Sequence, residues 1–255
     1  MTDSFVIIVP ARAGSTRLPN KPLAIINKRT VISRIIDLAN SSDAASVYIA
    51  TDSNDIGDHC RSLGANVVMT SSDHISGMDR IAEAAKKLDL PDDIPIVNLQ
   101  GDEPFMPLEI INQLPMLINK EIPISTACIQ FTGDMDFNSP HEVKVVRSIS
   151  KKAMYFSRSV IPNSFNSDSQ NHFKHLGIYA YSNKTLQTLS SLEPTANEES
   201  EKLEQLRFLD NGFDIFVQDF KCEAPIGIDT LLIFNPLGLF QFSRVLSIGS
   251  LSLII

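Results

Sequence analysis

Five consecutive apolar residues near the start of the chain, Phe5-Val6-Ile7-Ile8-Val9, leave no polar face for water. A strand with one wet face alternates polar and apolar residues, so this one must be covered on both sides. Runs of the same kind return at Val47–Ala50, Asn66–Met69 and Ile94–Leu99. Helical spacing lies between them. Thr30–Asn40 puts Val31, Ile32, Ile35, Ile36 and Ala39 on one stripe. Asn54–Leu63 has Ser53 or Asn54 as its cap and Gly64 at its end, and Met78–Leu88 is a third helical stretch. Short buried strands alternating with helices predict an α/β fold with a Rossmann-like, mostly parallel sheet and helices on both faces.

The rhythm changes after Pro123. Ile124–Phe131, Val143–Val146, Ala153–Phe156 and Gly177–Tyr181 are strand-like, with few helices between them. Residues 123–181 are therefore expected to be a β-rich insertion within one α/β domain over residues 1–230. Glu198–Leu209 is expected to be one helix, with Leu203, Leu206 and Leu209 at core spacing. Residues 231–255 form a divergent apolar tail with one charge, Arg244. Asn235-Pro236, Gly238 and Arg244 interrupt it before it reaches the ~20 residues of a transmembrane helix, so no membrane span is expected.

The chain carries a formal net charge of −8, yet six Lys/Arg and no acid lie between Asp3 and Asp37. An acidic chain argues against a nucleic-acid partner. A local cationic loop fits a small anion better. The loop is "VPARAGSTRLPNKPL", Val9–Leu23, and it starts where the first strand ends. Ligands of open parallel sheets bind beyond the carboxyl ends of the strands. Gly14 lets backbone amides turn inward, Ser15 and Thr16 add donors, and Arg12, Arg17 and Lys21 add charge. That is phosphate-binding chemistry. The loop has neither the Gly-Lys-Ser/Thr of a Walker loop nor the Gly-x-Gly-x-x-Gly of dinucleotide sites, which disfavours a dinucleotide oxidoreductase.

A second feature belongs at the same edge. "VNLQGDEP", Val97–Pro104, ends the fourth strand in carboxylates. Acids there, beside a phosphate loop, suit Mg²⁺ held through one or two carboxylates plus substrate phosphates. Asp102, nearer the strand end than Glu103, is the better ligand. Cys60, Cys128 and Cys222 are scattered without metal-type spacing, and no basic segment precedes the first apolar run. Both features predict a cytoplasmic protein with reduced thiols. His172 and His175 form H-x-x-H, but three-residue spacing on a strand sends them to opposite faces, against a shared metal.

Nine motifs occur in order: "PARAGSTRLPNKPL", "ATD" (Ala50–Asp52), "DHISGMDR" (Asp73–Arg80), "VNLQGDEP", "HEVKVV" (His141–Val146), "YFSRSVIP" (Tyr155–Pro162), "KHLGIYAY" (Lys174–Tyr181), "EKLEQLR" (Glu201–Arg207) and "GIDT" (Gly227–Thr230). From about Phe5 to Thr230 the chain resembles the 3-deoxy-manno-octulosonate cytidylyltransferase (CMP-Kdo synthetase) family. The resemblance implies a fold of the nucleotide-diphospho-sugar transferase type. It implies the reaction CTP + Kdo → CMP-Kdo + diphosphate, which activates Kdo for lipopolysaccharide biosynthesis. It further implies a homodimer built on the β-rich insertion. Ala11, Arg12, Ser15 and Lys21 would then meet the nucleotide and its phosphates, with Ser76, Gly77 and Arg80 along the nucleotide. Arg12, Lys21 and Asp102 would be catalytic, and Asp102 and Asp229 would bind Mg²⁺. Gln100, Arg158, His175, Tyr179, Glu204 and Gln205 would line the sugar pocket, Arg158 being suited to grip a carboxylate with its fork.

Two departures stand out against the family pattern. Met78 stands where the family usually has Thr, and the apolar tail replaces a polar helix after GIDT, which bears on the setting of Asp229. The same chemistry on 8-amino-Kdo or a nonulosonic acid, or a non-catalytic nucleotide- or sugar-binding relic, are the alternative readings.

Overall fold

The structure, a computed structural model, describes residues 4–14, 20–26, 28–74, 76–132, 135–163, 172–225, 227, 233–234 and 240–241. Nine of its strands form one sheet. β1 (Val6–Ala11) leads to α1 (Val31–Asn40), β2 (Ser46–Thr51), α2 (Asn54–Ser62), β3 (Asn66–Met69), α3 (Gly77–Lys87) and β4 (Pro95–Asn98). α4 (Leu108–Met116), β5 (Ile124–Gln130), β6 (Lys144–Arg147), β7 (Ala153–Ser157) and β8 (Phe173–Ser182) follow. The last described helices and strand of this body are α5 (Asn183–Ser190), α6 (Ala196–Glu201), α7 (Gln205–Asp210) and β9 (Phe216–Phe220). Two pairs of two-residue strands, Ile25–Ile26 with Arg29–Thr30 and Ile233–Phe234 with Phe240–Gln241, stand apart from the sheet.

Across the sheet the order is β9-β5-β8-β4-β1-β2-β3. β1 pairs in parallel with β2 on one side and β4 on the other, which buries its backbone as well as its side chains. Its period of two divides the core. Ile7 and Val9 point to α1, α2 and α4, whereas Val6 and Ile8 point to α3, α5 and α7. Each such side chain contributes about 1.5–3 kcal/mol by burial, so the apolar run of β1 is the seam of both half-cores. The helices begin where the sequence offers caps: Thr30, Ser53, Ser76, Ser182 and Thr195 each accept from a main-chain N–H of the first turn. Gly64, past the end of α2, adopts φ 79°, a conformation that costs glycine little.

The second half differs from the expected insertion. β5 and β8 are integral to the main sheet, and only β6 and β7 branch from it, β6 pairing with the start of β8. β8 runs antiparallel to both β4 and β5 and is the one reversed strand on the seven-strand path. The single helix expected over Glu198–Leu209 is two. Lys202 takes a left-handed conformation (φ 54°) that ends α6, and Leu203 turns into the core. Arg207 then reaches back to grip Glu198 with two bonds of 2.6 and 2.7 Å. A bidentate ion pair of this kind, largely shielded from water, fixes the corner between the two short helices.

The sheet edge that matters is tied at one point. A Cβ on Gly101 would lie 2.9 Å from the Pro10 carbonyl oxygen, too close for any side chain. The backbone leaving β4 thus packs directly on the backbone leaving β1. Gly101→Ala must push these two turns apart. Forced overpacking of this kind costs about 1–3 kcal/mol. A thermal or urea melt should show that loss, and a variant with unchanged stability would mean the contact yields freely.

Candidate active site

The carboxyl ends of β1 to β4 share one edge, and the motif residues gather there. Ala11 is the buried last residue of β1, and Arg12 is exposed just beyond it. Lys21 begins a short 3₁₀ turn, Lys21–Leu23, entered through Asn20 at φ 54°. From there its Nζ donates to Asp102 Oδ2 at 2.8 Å, joining the opening loop to the turn after β4. Asp102 is more than a third exposed, and such a pair is worth only ~0–1 kcal/mol to the fold. What the pair does is geometric: it holds one cation and one hard anion side by side on the strand edge.

Behind the loop lies a second charge pair. Arg80, on α3, is 1% exposed. Its Nη2 donates to Asp52 Oδ2 at 2.9 Å, and its Nη1 to Thr70 Oγ1 at 2.5 Å. Asp52 Oδ1 in turn accepts the main-chain N–H of Ala13 at 3.5 Å. The ends of β2 and β3 and helix α3 are thereby fastened to the opening loop. Ser76 caps α3, with Asp79 closing the capping box, and Gly77 follows it against Pro10.

Beside Asp102 opens a cavity lined by Met78, Asn98, Gln100, Tyr179, Tyr181, Glu204, Gln205 and Phe208, holding about 260 Å³ of empty space including its mouth. β8 supplies the tyrosines, because Tyr179 stands opposite Asn98 in the antiparallel register and Tyr181 follows two residues on. The start of α7 supplies Glu204 and Gln205. Three buried polar atoms in this lining, Tyr179 Oη, Tyr181 Oη and Glu204 Oε1, make no well-formed hydrogen bond among the described residues, although Thr126, Asn98 and Ser76 respectively lie close enough to act on them. Burial raises the pKa of both phenols and of the Glu204 carboxyl, so the phenols stay protonated donors. Gln100 Nε2 donates to Asn98 Oδ1 at 3.2 Å. The lining offers both donors and acceptors, as a polyhydroxylated ligand requires.

A profile of the cytidylyltransferase family matches residues 6–215. The chain belongs to this family. It is 43% identical over 231 residues to a 3-deoxy-manno-octulosonate cytidylyltransferase of Polynucleobacter necessarius, covering 89% of this chain and 91% of that protein. It is equally 43% identical over 233 residues to the enzyme of that name from Francisella tularensis, covering 88% and 93%. The solved structure of a CMP:2-keto-3-deoxy-manno-octonic acid synthetase complexed with CTP superposes with a TM-score of 0.82 at 36% identity, covering 89% of this chain and 93% of that one. A 4-diphosphocytidyl-2C-methyl-D-erythritol synthase shares the fold alone, with a TM-score of 0.60 at 8% identity over 90% and 94% of the two chains.

Among the residues singled out in the sequence of this cytidylyltransferase, Gln100, Tyr179, Glu204 and Gln205 come together around the cavity. His175 stacks beside it, its ring centroid 5.5 Å from that of Tyr179 and its Nε2 3.0 Å from Thr126 Oγ1. Burial draws its pKa down to about 3, so the ring is neutral. His172 instead contacts the Pro162 carbonyl at 2.9 Å. Among the described residues no cluster of three His, Cys, Asp or Glu forms a metal site. Arg158 lies outside the cavity lining: its guanidinium donates to the carbonyls of Glu201, Pro140 and Lys202. Ser15 and Asp229 lie outside the described residues, as does most of the tail. Sequence reasoning gave no role to Asp52, Thr70, Tyr181 or Phe208. Asp52 was open to the logic applied to Asp102, an acid at a strand's carboxyl end, and Tyr181 to the period of two from Tyr179.

Asp52→Ala should cost about 3–5 kcal/mol, because it leaves the Arg80 charge buried without its partner. Urea denaturation measures this. A loss below ~1 kcal/mol would show that the pair does not hold the loop.

Proposed function

We propose that this cytidylyltransferase transfers CMP from CTP to 3-deoxy-D-manno-octulosonate, releasing diphosphate and activating the sugar for lipopolysaccharide assembly in the cytosol. The observation that carries the reading is the adjacency of two sites. Gln100 lines the polar cavity, and Asp102, two residues on, pairs with Lys21. Two residues span at most ~7 Å. A ligand in the cavity is thus within reach of an anion held at the loop, as group transfer between two substrates demands. The names of the curated relatives, and the CTP in the solved one, fit this arrangement.

In this reading Arg12, Ser15 and Lys21 hold the triphosphate, with Ala11, Ser76 and Gly77 along the nucleoside and Arg80 fixing their backbone from behind. Gln100, His175, Tyr179, Glu204 and Gln205 hold the sugar. A sugar hydroxyl gives up its proton to water as its oxygen attacks the α-phosphorus, the bond from phosphorus to the bridging oxygen breaks, and diphosphate leaves with the electron pair. Such transfer is catalysed mainly by positioning and by neutralising charge. Asp102 fits Mg²⁺: a part-exposed carboxylate at a strand end offers a hard oxygen. Asp229 would be the second acid. Bound there, Mg²⁺ would supply charge neutralisation on the phosphates.

The assay is diphosphate release from CTP in the presence of Kdo, which EDTA should abolish. Lys21→Ala should lower the rate by ~10²–10³, the usual loss for one preorganised stabiliser of developing charge. Near-normal turnover in that variant would remove Lys21 from the mechanism.

Arg158 is proposed to grip the sugar carboxylate, which requires it to exchange its present carbonyl partners. Arg158→Lys should then raise KM for Kdo while leaving KM for CTP in place. An unchanged KM with a lowered melting temperature would assign Arg158 to the carbonyl clamp alone. A homodimer is proposed on the β-rich segment 123–181, with the β6–β7 hairpin as its centre because Ile149 is fully exposed and Met154 is 64% exposed there. Met154→Glu should give a monomer by size-exclusion chromatography with light scattering, and a dimer that survives it would move the interface elsewhere.

A further inference from the structure

β8 contains an irregularity beside the cavity. His175 pairs with Cys128 and Leu176 with Ala127, but the next pair is Tyr179 with Thr126, so Gly177 and Ile178 have no partner on β5. The main chain there turns its carbonyls toward one side chain. Thr126 Oγ1 lies 2.7 Å from the Ile178 carbonyl oxygen and 3.3 Å from that of Leu176. The residue is fully buried. Carbonyl oxygens only accept, and a threonine hydroxyl has one proton. That proton goes to Ile178, whose carbonyl has lost its place in the ladder. Thr126 Oγ1 then has only lone pairs to offer, so His175 Nε2 at 3.0 Å, which shares that oxygen with the nearby Tyr179 hydroxyl, must be a donor.

We infer that Thr126 is a positioning residue for sugar binding: it holds His175 as the tautomer with its proton on Nε2, so that Nδ1 accepts from a sugar hydroxyl. The inference rests on the assignment of His175 to the sugar site. The surroundings favour a fixed neutral ring. Phe156 packs its ring against the imidazole at 4.9 Å between centroids, and Tyr179 flanks it. Burial also draws the pKa of the ring down to about 3, which favours the neutral form with a lone pair on Nδ1. A ring free to change tautomer would offer Nδ1 as a donor part of the time, and the acceptor would be lost in that fraction.

The decisive measurement is the long-range proton–nitrogen NMR correlation of ligand-free enzyme labelled with ¹⁵N-histidine. The expected pattern has a pyrrole-like Nε2 and a pyridine-like Nδ1 for His175, unchanged across roughly pH 5 to 8. Thr126→Val keeps the shape and removes the hydroxyl. It should mix the tautomers and raise KM for Kdo ~10-fold, the effect of about one hydrogen bond, while KM for CTP stays within about twofold. Thr126→Ser restores the hydroxyl and should restore both the tautomer and KM. A protonated Nδ1 in the wild type overturns the inference. So does a Thr126→Val enzyme with an unmixed tautomer, or one whose KM for Kdo is unchanged or rises equally with that for CTP. A wild-type enzyme that ignores Kdo sinks the activity reading and the sugar half of this inference, while the NMR pattern still decides the tautomer.

Discussion

Two chain turns touch backbone to backbone, the one leaving β1 at Pro10 and the one leaving β4 at Gly101. The candidate site depends on that contact. β1 and β4 are parallel neighbours, so their carboxyl ends already share an edge. Only the absence of a side chain at residue 101 lets the two loops beyond them close up. Lys21 can then reach Asp102 across the gap, although 81 residues separate them in sequence. The pair stabilises the fold little, since a part-exposed ion pair is screened by water. Its significance is that the fold delivers both charges to one place without relying on their attraction.

The strands and helices that carry the proposed phosphate-binding half of the site were largely legible in the sequence. Continuous apolar runs are readable as buried strands, and caps such as Ser53 and Thr30 mark helix starts, so β1 to β4 and α1 to α3 fall within a residue or two of where the pattern puts them. Loops at the ends of such strands inherit their position from the topology. The sugar half was less legible, for reasons that are physical. The sequence pattern starts this strand at Gly177, whereas Gly177 sits inside the ten-residue β8 at an irregularity. α4 lacks a side-chain cap and carries Pro115 in its interior. α5 has only Leu186 and Leu189 as buried apolar residues in a polar octet. Neither offers a strong local signal. Lys202 ends α6 in a conformation uncommon for a residue with a Cβ, set by tertiary contacts and invisible to helical periodicity. The individual roles of Gln100, His175, Tyr179, Glu204 and Gln205 came from ordered motifs; the geometry then placed four of them on one cavity and the fifth beside it.

The reversed strand explains why the two halves of the site differ in character. Strands β1 to β4 bring loops to the edge, and loops bring flexible cations and backbone amides suited to phosphate. β8 enters the same edge from the opposite direction and brings the body of a strand, so its contribution is rigid side chains standing from the sheet at every second residue. Tyr179 and Tyr181 are such side chains, and the corner between α6 and α7, locked by Arg207 and Glu198, sets Glu204 and Gln205 against them. Their weakly partnered polar atoms cost the ligand-free fold at most about 1–3 kcal/mol each. Against a net stability of ~5–15 kcal/mol for a domain, three such atoms in one cavity are a substantial burden. A core that needed only to be stable would carry Phe and Leu there. The polar groups make sense as recognition elements, because a polyhydroxylated ligand satisfies several at once and an apolar ligand satisfies none. Under the proposed function, selectivity at this site would come from the cost of leaving those atoms unmet, and it would be strongest where the lining is least able to rearrange.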